Sequence, residues 1–168
     1  MLVCQLVGRL RKLTRMKRWL KRIGLMLLVL LVAIQFYQPA RNSDASILNT
    51  VGMEKMYNIP NSVTTILRQS CYDCHSNNPR YPWYANLQPI RYFIDGHMKE
   101  ARKELNFDEW GSYSGRKQET KLDRIVKQVE NEEMPLASYT LIHRDAILSE
   151  SEKKELINWI NVIKIKDE

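Results

Sequence analysis

The chain has 168 residues, enough for one domain with its own core and something besides, and 44% hydrophobic with 27% charged residues is the composition of a folded protein. Its net charge of +7 is unevenly placed. Residues 1–22 hold eight basic side chains (Arg9, Arg11, Lys12, Arg15, Lys17, Arg18, Lys21, Arg22) and no acid, which leaves 18 basic against 19 acidic residues in the rest. A nucleic-acid-binding domain carries its basic patch on the folded part. This chain does not, and nucleic acid is excluded as a partner.

The basic arm, residues 1–22, precedes an apolar run from Ile23 to Phe36 interrupted only by Gln35. Fourteen residues are short for a bilayer span of about 20, but Leu20 and Tyr37 extend the segment to 20–37, and Lys21 and Arg22 can snorkel to the headgroups. The layout is that of a secretory signal or an uncleaved anchor. Small residues at the cleavage spacing fit only Ser43-Asp44-Ala45, well past the apolar run, so a retained anchor is expected. The positive-inside rule then places the arm in the cytoplasm and the chain after about residue 40 in the periplasm, as a single-pass protein of the cytoplasmic membrane. Met16-Lys17-Arg18 would itself open a compact signal anchor, so residues 1–15 are expected to be an over-long start, in which Cys4 has no role.

Residues 38–60 are mostly polar, with prolines at both ends, and read as a tether. The domain proper runs over 61–165. No strand pattern is long enough to trust, and four helices are expected. The first covers Ser62 to Ser70, with Asn61 or Ser62 as cap. The second covers about Pro89 to Leu105, with Ile90, Phe93, Ile94, His97 and Ala101 as its inner stripe. The third covers about Arg116 to Glu132, with Leu122, Ile125, Val126 and Val129 inward. The last is capped by Ser149 in an S-x-x-E box with Glu152, and Leu156, Ile157, Ile160 and Ile163 form its inner face. The fold class is all-α, with long loops that wrap or bind something.

Two of the three cysteines lie in Cys71-Tyr72-Asp73-Cys74, followed at once by His75. On one helical turn this C-x-x-C-H spacing projects both thiols and the imidazole to one side. Two thioether bonds can then hold the two vinyl-derived groups of a haem, with His75 as proximal iron ligand. Three rivals remain: a zinc site drawing on His97 and His143, a thiol–disulfide C-x-x-C, and a structural disulfide. The export signal favours covalent haem c, one per chain, because such attachment takes place beyond the cytoplasmic membrane.

The blocks CYDCHSNNPRYPWYANLQPI, HMKEARKELNFDEWGSYS and EMPLASYTLIHRDAILSESEKKELINWI resemble the small bacterial haem-binding-domain family named for its CxxCH motif, across roughly residues 60–163. Its members resemble single-haem class I cytochromes c, which implies a small cytochrome c-like helical domain, haem binding and electron transfer with a redox partner protein. Met134, followed by Pro135 in the loop before the last helix, resembles the axial methionine of those cytochromes and is the expected sixth ligand. His143 in the same loop is the alternative, and His97 reads as a core residue. Tyr81, Trp83 and Tyr84 suit packing at the ring edge, and Arg80 and Arg91 suit the propionates. The function expected is that of an electron carrier and not an enzyme. The alternatives are a haem enzyme or gas sensor with an open iron position, and a zinc or disulfide module.

Overall fold

The computed structural model describes residues 2–41, 43 and 51–167, and the side chains of 12, 15–41, 43 and 51–165. The described residues form eight α-helices and no strand: α1 (Leu2–Ile34), α2 (Met53–Met56), α3 (Asn61–Ser70), α4 (Tyr72–His75), α5 (Ile90–Glu104), α6 (Gly115–Glu130), α7 (Ala137–Thr140) and α8 (Glu150–Asp167). Short 3-10 helices lie at Trp83–Asn86, Phe107–Ser112 and Arg144–Ala146. Two compact units result. One joins residues 1–40 to 83–92; the other joins 41–82 to 93–168.

In the first unit, α1 is one continuous helix carrying the basic arm and the apolar run together. This corrects the reading of a separate membrane-spanning segment over 20–37. The helix ends at Ile34, and Gln35 to Tyr37 form a turn closed by backbone bonds to Val32, Ala33 and Ile34. The apolar part from Ile23 to Ile34 rises about 18 Å, against a hydrocarbon core of about 30 Å. Extending it toward the N-terminus takes in Arg22, Lys21, Arg18 and Lys17. No helix among the described residues is long and apolar enough to cross a membrane. The side chain of Cys4, and Asp44 and Ala45 of the cleavage triplet, lie outside the described residues.

The second unit is built on one core. Leu67 and Val63 of α3, Leu122 and Val129 of α6, and Leu156, Ile160 and Ile163 of α8 are buried together with Phe107 and Trp110. Each large side chain removed from water contributes about 1.5–3 kcal/mol. The stripes expected on α6 and α8 are the ones that point inward, with Ile125, Val126 and Ile157 packed at the margin. Trp159 is buried too, its ring edge-on to Tyr57 at 6.4 Å.

Two stretches depart from the sequence reading. The stretch 38–60 is not free chain throughout: Met53 of α2 is buried in the core, and Tyr57 and Ile59 pack against it. Gly111 shows how closely this stretch is held. Its N–H donates to Val51 O at 2.8 Å, and a Cβ there would lie 3.0 Å from that oxygen, so a side chain would push the two segments apart. A four-residue helix in a polar stretch has no periodicity to reveal it. On α5 the inner stripe is displaced by about one residue, which is a turn of about 100°. Arg91 and Met98 are buried, whereas Ile90, Phe93 and His97 are exposed. An apolar-face rule assigns Arg91 to solvent. Its guanidinium instead goes in and donates to Pro39 O at 3.1 Å.

The helix starts differ in quality. At α3 the N-cap is Pro60, with no side-chain cap, and Asn61 is already helical. At α8 the capping box is complete. Ser149 N–H donates to Glu152 Oε2 at 2.7 Å, and Glu152 N–H donates to Ser149 Oγ at 3.3 Å. The Ser149 hydroxyl, then its backbone N–H, hold the Glu152 carboxyl below the usual range. Because the folded value is depressed, this contribution is present above the unfolded carboxylate value of about 4.3. It is lost as pH falls through the folded value. Ser149→Ala is therefore expected to cost about 1 kcal/mol near neutral pH, in urea denaturation, and the gap to the parent protein is expected to narrow near pH 3.

Candidate functional site

Helix α3 stops at Ser70, and Cys71 (φ −124°, ψ −42°) is the joint at which the single turn α4 begins. Cys74 N–H and His75 N–H both donate to Cys71 O, at 3.1 and 3.0 Å, so the five residues of C-x-x-C-H form one closed turn. Cys71 and Cys74 are half-buried free thiols. Burial, then the neighbouring Cys74, pushes the Cys71 thiol up to about 12. Burial, then Asp73, pushes the Cys74 thiol up to about 11. Both are protonated at neutral pH.

His75 is oriented by the next layer of the domain. Its Nδ1 lies 2.9 Å from Leu105 O. A carbonyl oxygen only accepts, so Nδ1 carries the proton and the Nε2 lone pair is left for a ligand. Burial lowers the imidazole pKa against the opposing pull of the Leu105 and Ala101 carbonyls, so the ring is neutral. Phe107 meets it edge-on at 6.2 Å and stacks on Tyr72 at 5.1 Å. The Leu105 carbonyl is positioned by the polar knot beside it. Buried Asn106 donates through Nδ2 to Asn77 Oδ1 and Glu109 Oε1, both at 2.8 Å, and receives Asp108 N–H on its own Oδ1 at 3.1 Å.

Met134 arrives by a helix-ending turn. Asn131 caps α6, Glu132 takes the left-handed conformation (φ 58°), and Glu132 N–H and Glu133 N–H donate back to Val129 O and Gln128 O at 3.2 and 2.9 Å. That is the Schellman pattern, in which glycine is usual. Here a glutamate bears the strain, and its carboxylate is tied to Lys153 of α8 at 2.6 Å. The reversal turns Met134 back toward the helix it has just left.

A cavity of about 480 Å³ opens between these pieces. Cys71 and His75 lie on its wall with Leu105, Phe107, Ile125 and Val129, and so does Met134. The structure thus brings an imidazole and a thiol from one turn, and a thioether from a second, distant segment, into one space of ligand-pocket size. Cys74 shares the turn but not the wall. His143 is elsewhere: its ring stacks on Tyr139 at 4.3 Å, and it is not among the wall residues. His97 is exposed on α5, so it is not the core residue expected. Among the described residues no group of three or more His, Cys, Asp and Glu is placed to hold a metal ion.

The residues assigned to the cofactor's periphery also change. Arg80 is committed to Asp73 (Nε to Oδ1, 3.0 Å) and to Arg68 O, and Tyr81 donates to Asp95 at 2.6 Å. Trp83 and Tyr84 pair with each other in the first unit. The cations on the cavity wall are Lys121, Arg124 and Lys127 of α6, beside Glu104 and Glu133. Arg124 pairs with Glu104 at 3.1 Å, and Lys121 donates to Glu104 O while lying over the Tyr113 ring at 4.4 Å. Their spacing of three residues, flanking the apolar stripe of α6, was the signal available in the sequence.

Asp73, inside the motif, ties this turn to the loop that follows Met134. Tyr139 OH donates to its Oδ2 at 2.7 Å, and burial, then this bond, keeps the tyrosine protonated far above its ordinary range. Tyr139→Phe is expected to cost about 1–2 kcal/mol, because a bond to a carboxylate is lost. Chemical denaturation of the variant measures it.

An all-α domain whose cavity gathers a neutral imidazole, a thiol and a thioether, with cations on its wall, defines a haem-holding protein. The donor set fits iron, the apolar wall fits the ring, and the cations fit its carboxylates. The chain belongs to the haem-binding domain family, whose model matches residues 29–162. No curated protein and no solved structure matches it.

Proposed function

We propose that the chain is a single-haem electron-transfer protein of the c-type cytochrome kind, and not an enzyme. The observation that carries this reading is the presence of Met134 on the same cavity wall as His75. Haem, when bound, supplies a one-electron ferric–ferrous couple. Cys71 and Cys74 each add S–H across a vinyl group, forming a thioether bond with no net oxidation. His75 offers Nε2 as the proximal ligand, held in the right tautomer by Leu105 O. Met134 offers its sulfur as the sixth ligand, which favours the ferrous state and raises the potential. The remaining function is to exclude water and present the ring edge to a redox partner protein.

The apolar part of α1 holds the protein at the membrane surface without crossing it, and the haem domain works in the periplasm, where covalent haem attachment takes place. Support comes from the basic arm on one side of the apolar stretch and from the exposure of that stretch: Leu25 to Val32 are each between 51 and 71% exposed.

The test is the absorption spectrum of the full chain produced in a host that attaches haem c. Colour that survives denaturation, a low-spin ferrous spectrum and little carbon monoxide binding are expected. Rapid, tight carbon monoxide binding would instead establish an open-site sensor or enzyme. A colourless protein would overturn the haem reading.

A further inference from the structure

We propose that Trp83–Tyr92 is a second bilayer-contacting element, docked on the end of α1 so that it seats at the membrane–water interface where the apolar part of the helix enters the acyl layer of a lipid membrane. The proposal rests on the anchoring reading above and extends it to a segment that the sequence assigned to the haem.

The apolar part of α1 has no polar side. Eight consecutive residues, Leu25 to Val32, are all more than half exposed, whereas a helix that docks on one protein partner carries a polar face opposite the apolar one. Apolar surroundings on every side mean hydrocarbon. Toward the N-terminus, exposed Lys17, Arg18, Lys21 and Arg22 complement anionic headgroups. By itself the stretch is too short to span.

Its other end is where the second element attaches. Gln35, the one polar residue of the apolar run, accepts Gln88 N–H on Oε1 and donates through Nε2 to Gln88 O, both at 2.9 Å. Gln88 Nε2 donates to Tyr37 O at 3.0 Å, and Gln38 Nε2 donates to Asn86 O at 3.0 Å. With the bond from Arg91 to Pro39 O, these fix residues 83–92 on the helix end as part of one compact unit. Amide pairing of this kind strengthens where water is scarce. The docked segment exposes Trp83 (76%) and Tyr92 (72%), with Leu87 and Ile90, beside exposed Phe36 and Tyr37 of the helix end. Tryptophan and tyrosine are the residues enriched at membrane–water interfaces. The family match begins at residue 29, so the end of α1 lies within the matched stretch. The chain would therefore be held at the bilayer through two separate segments of one compact unit.

The full haem-loaded chain, placed in phosphatidylethanolamine–phosphatidylglycerol vesicles with a diazirine-bearing acyl-chain lipid, is irradiated and its adducts mapped by mass spectrometry. Adducts are expected both within residues 25–34 and within 83–92, and Gln35→Leu is expected to keep the first while lowering the second several-fold. Adducts on α1 with none on 83–92 would overturn the proposal and leave the anchor standing. No adduct on either segment would overturn the anchoring reading itself.

Discussion

Met134→Ala is expected to lower the reduction potential by on the order of 0.1–0.2 V, a fraction of the ~0.8 V over which axial ligands move haem potentials. The methionine–ferric charge-transfer band is expected to vanish, and carbon monoxide to bind the reduced protein readily. The direction follows from the chemistry of the cavity. A thioether donates softly and stabilises ferrous iron, and its loss leaves water or an empty position that favours the ferric state. The Schellman turn at Glu132 and Glu133 delivers Met134 by backbone bonds to Val129 and Gln128, so truncating the side chain leaves the loop intact. Two controls isolate the effect. Met98→Leu, buried on α5 and absent from the cavity wall, is expected to leave the spectrum unchanged. So is His143→Ala, whose ring lies against Tyr139. A potential that moves with His143 and not with Met134 would reassign the sixth ligand.

The second large effect concerns attachment. Cys71→Ala with Cys74→Ala is expected to leave no haem on the chain after acidic organic extraction, where the parent retains all of it. The ligands and walls of the cavity remain, so the double variant is expected to take up added haem under native conditions and lose it on denaturation. In the proposed covalent attachment the thiols make one contribution that His75 and Met134 do not: they would keep the cofactor attached when the fold is lost. They also connect cofactor and core stability. Cys71 packs against the buried cluster, so a bound ring that favours the folded state raises the unfolding midpoint, and the double variant is expected to unfold at lower denaturant concentration. Haem that resists extraction from the double variant would overturn the covalent assignment.

Legibility of this chain divides by range. The turn at residues 71–75 could be read directly, because C-x-x-C-H spacing spans a single helical turn, though only Cys71 and His75 share the cavity wall. The α8 start was equally local, since Ser149 and Glu152 satisfy each other's backbone. The inner stripes of α6 and α8 followed from periodicity because both helices pack one face on a single core. Met134 was singled out by resemblance, and the structure adds the turn that carries it to the cavity.

What failed was non-local. Arg80 and Arg91 suit propionates by sequence, but each meets an acceptor that sequence distance hides: Asp73 for one, Pro39 O for the other. His143 shares a loop with Met134, and only the stacking on Tyr139 reveals that the two point to different places. The α5 stripe was misplaced because periodicity finds an apolar face without stating what that face meets.

By itself, then, the sequence determined the helical class and the closed C-x-x-C-H turn, since these depend on contacts within one or two turns. Only the tertiary structure decided which distant side chains share the cavity. It also decided that Lys121, Arg124 and Lys127 supply its cations, and that Gln35 interrupts the apolar run in order to bind Gln88. Those choices depend on how far-apart segments are brought together, and no local spacing encodes that.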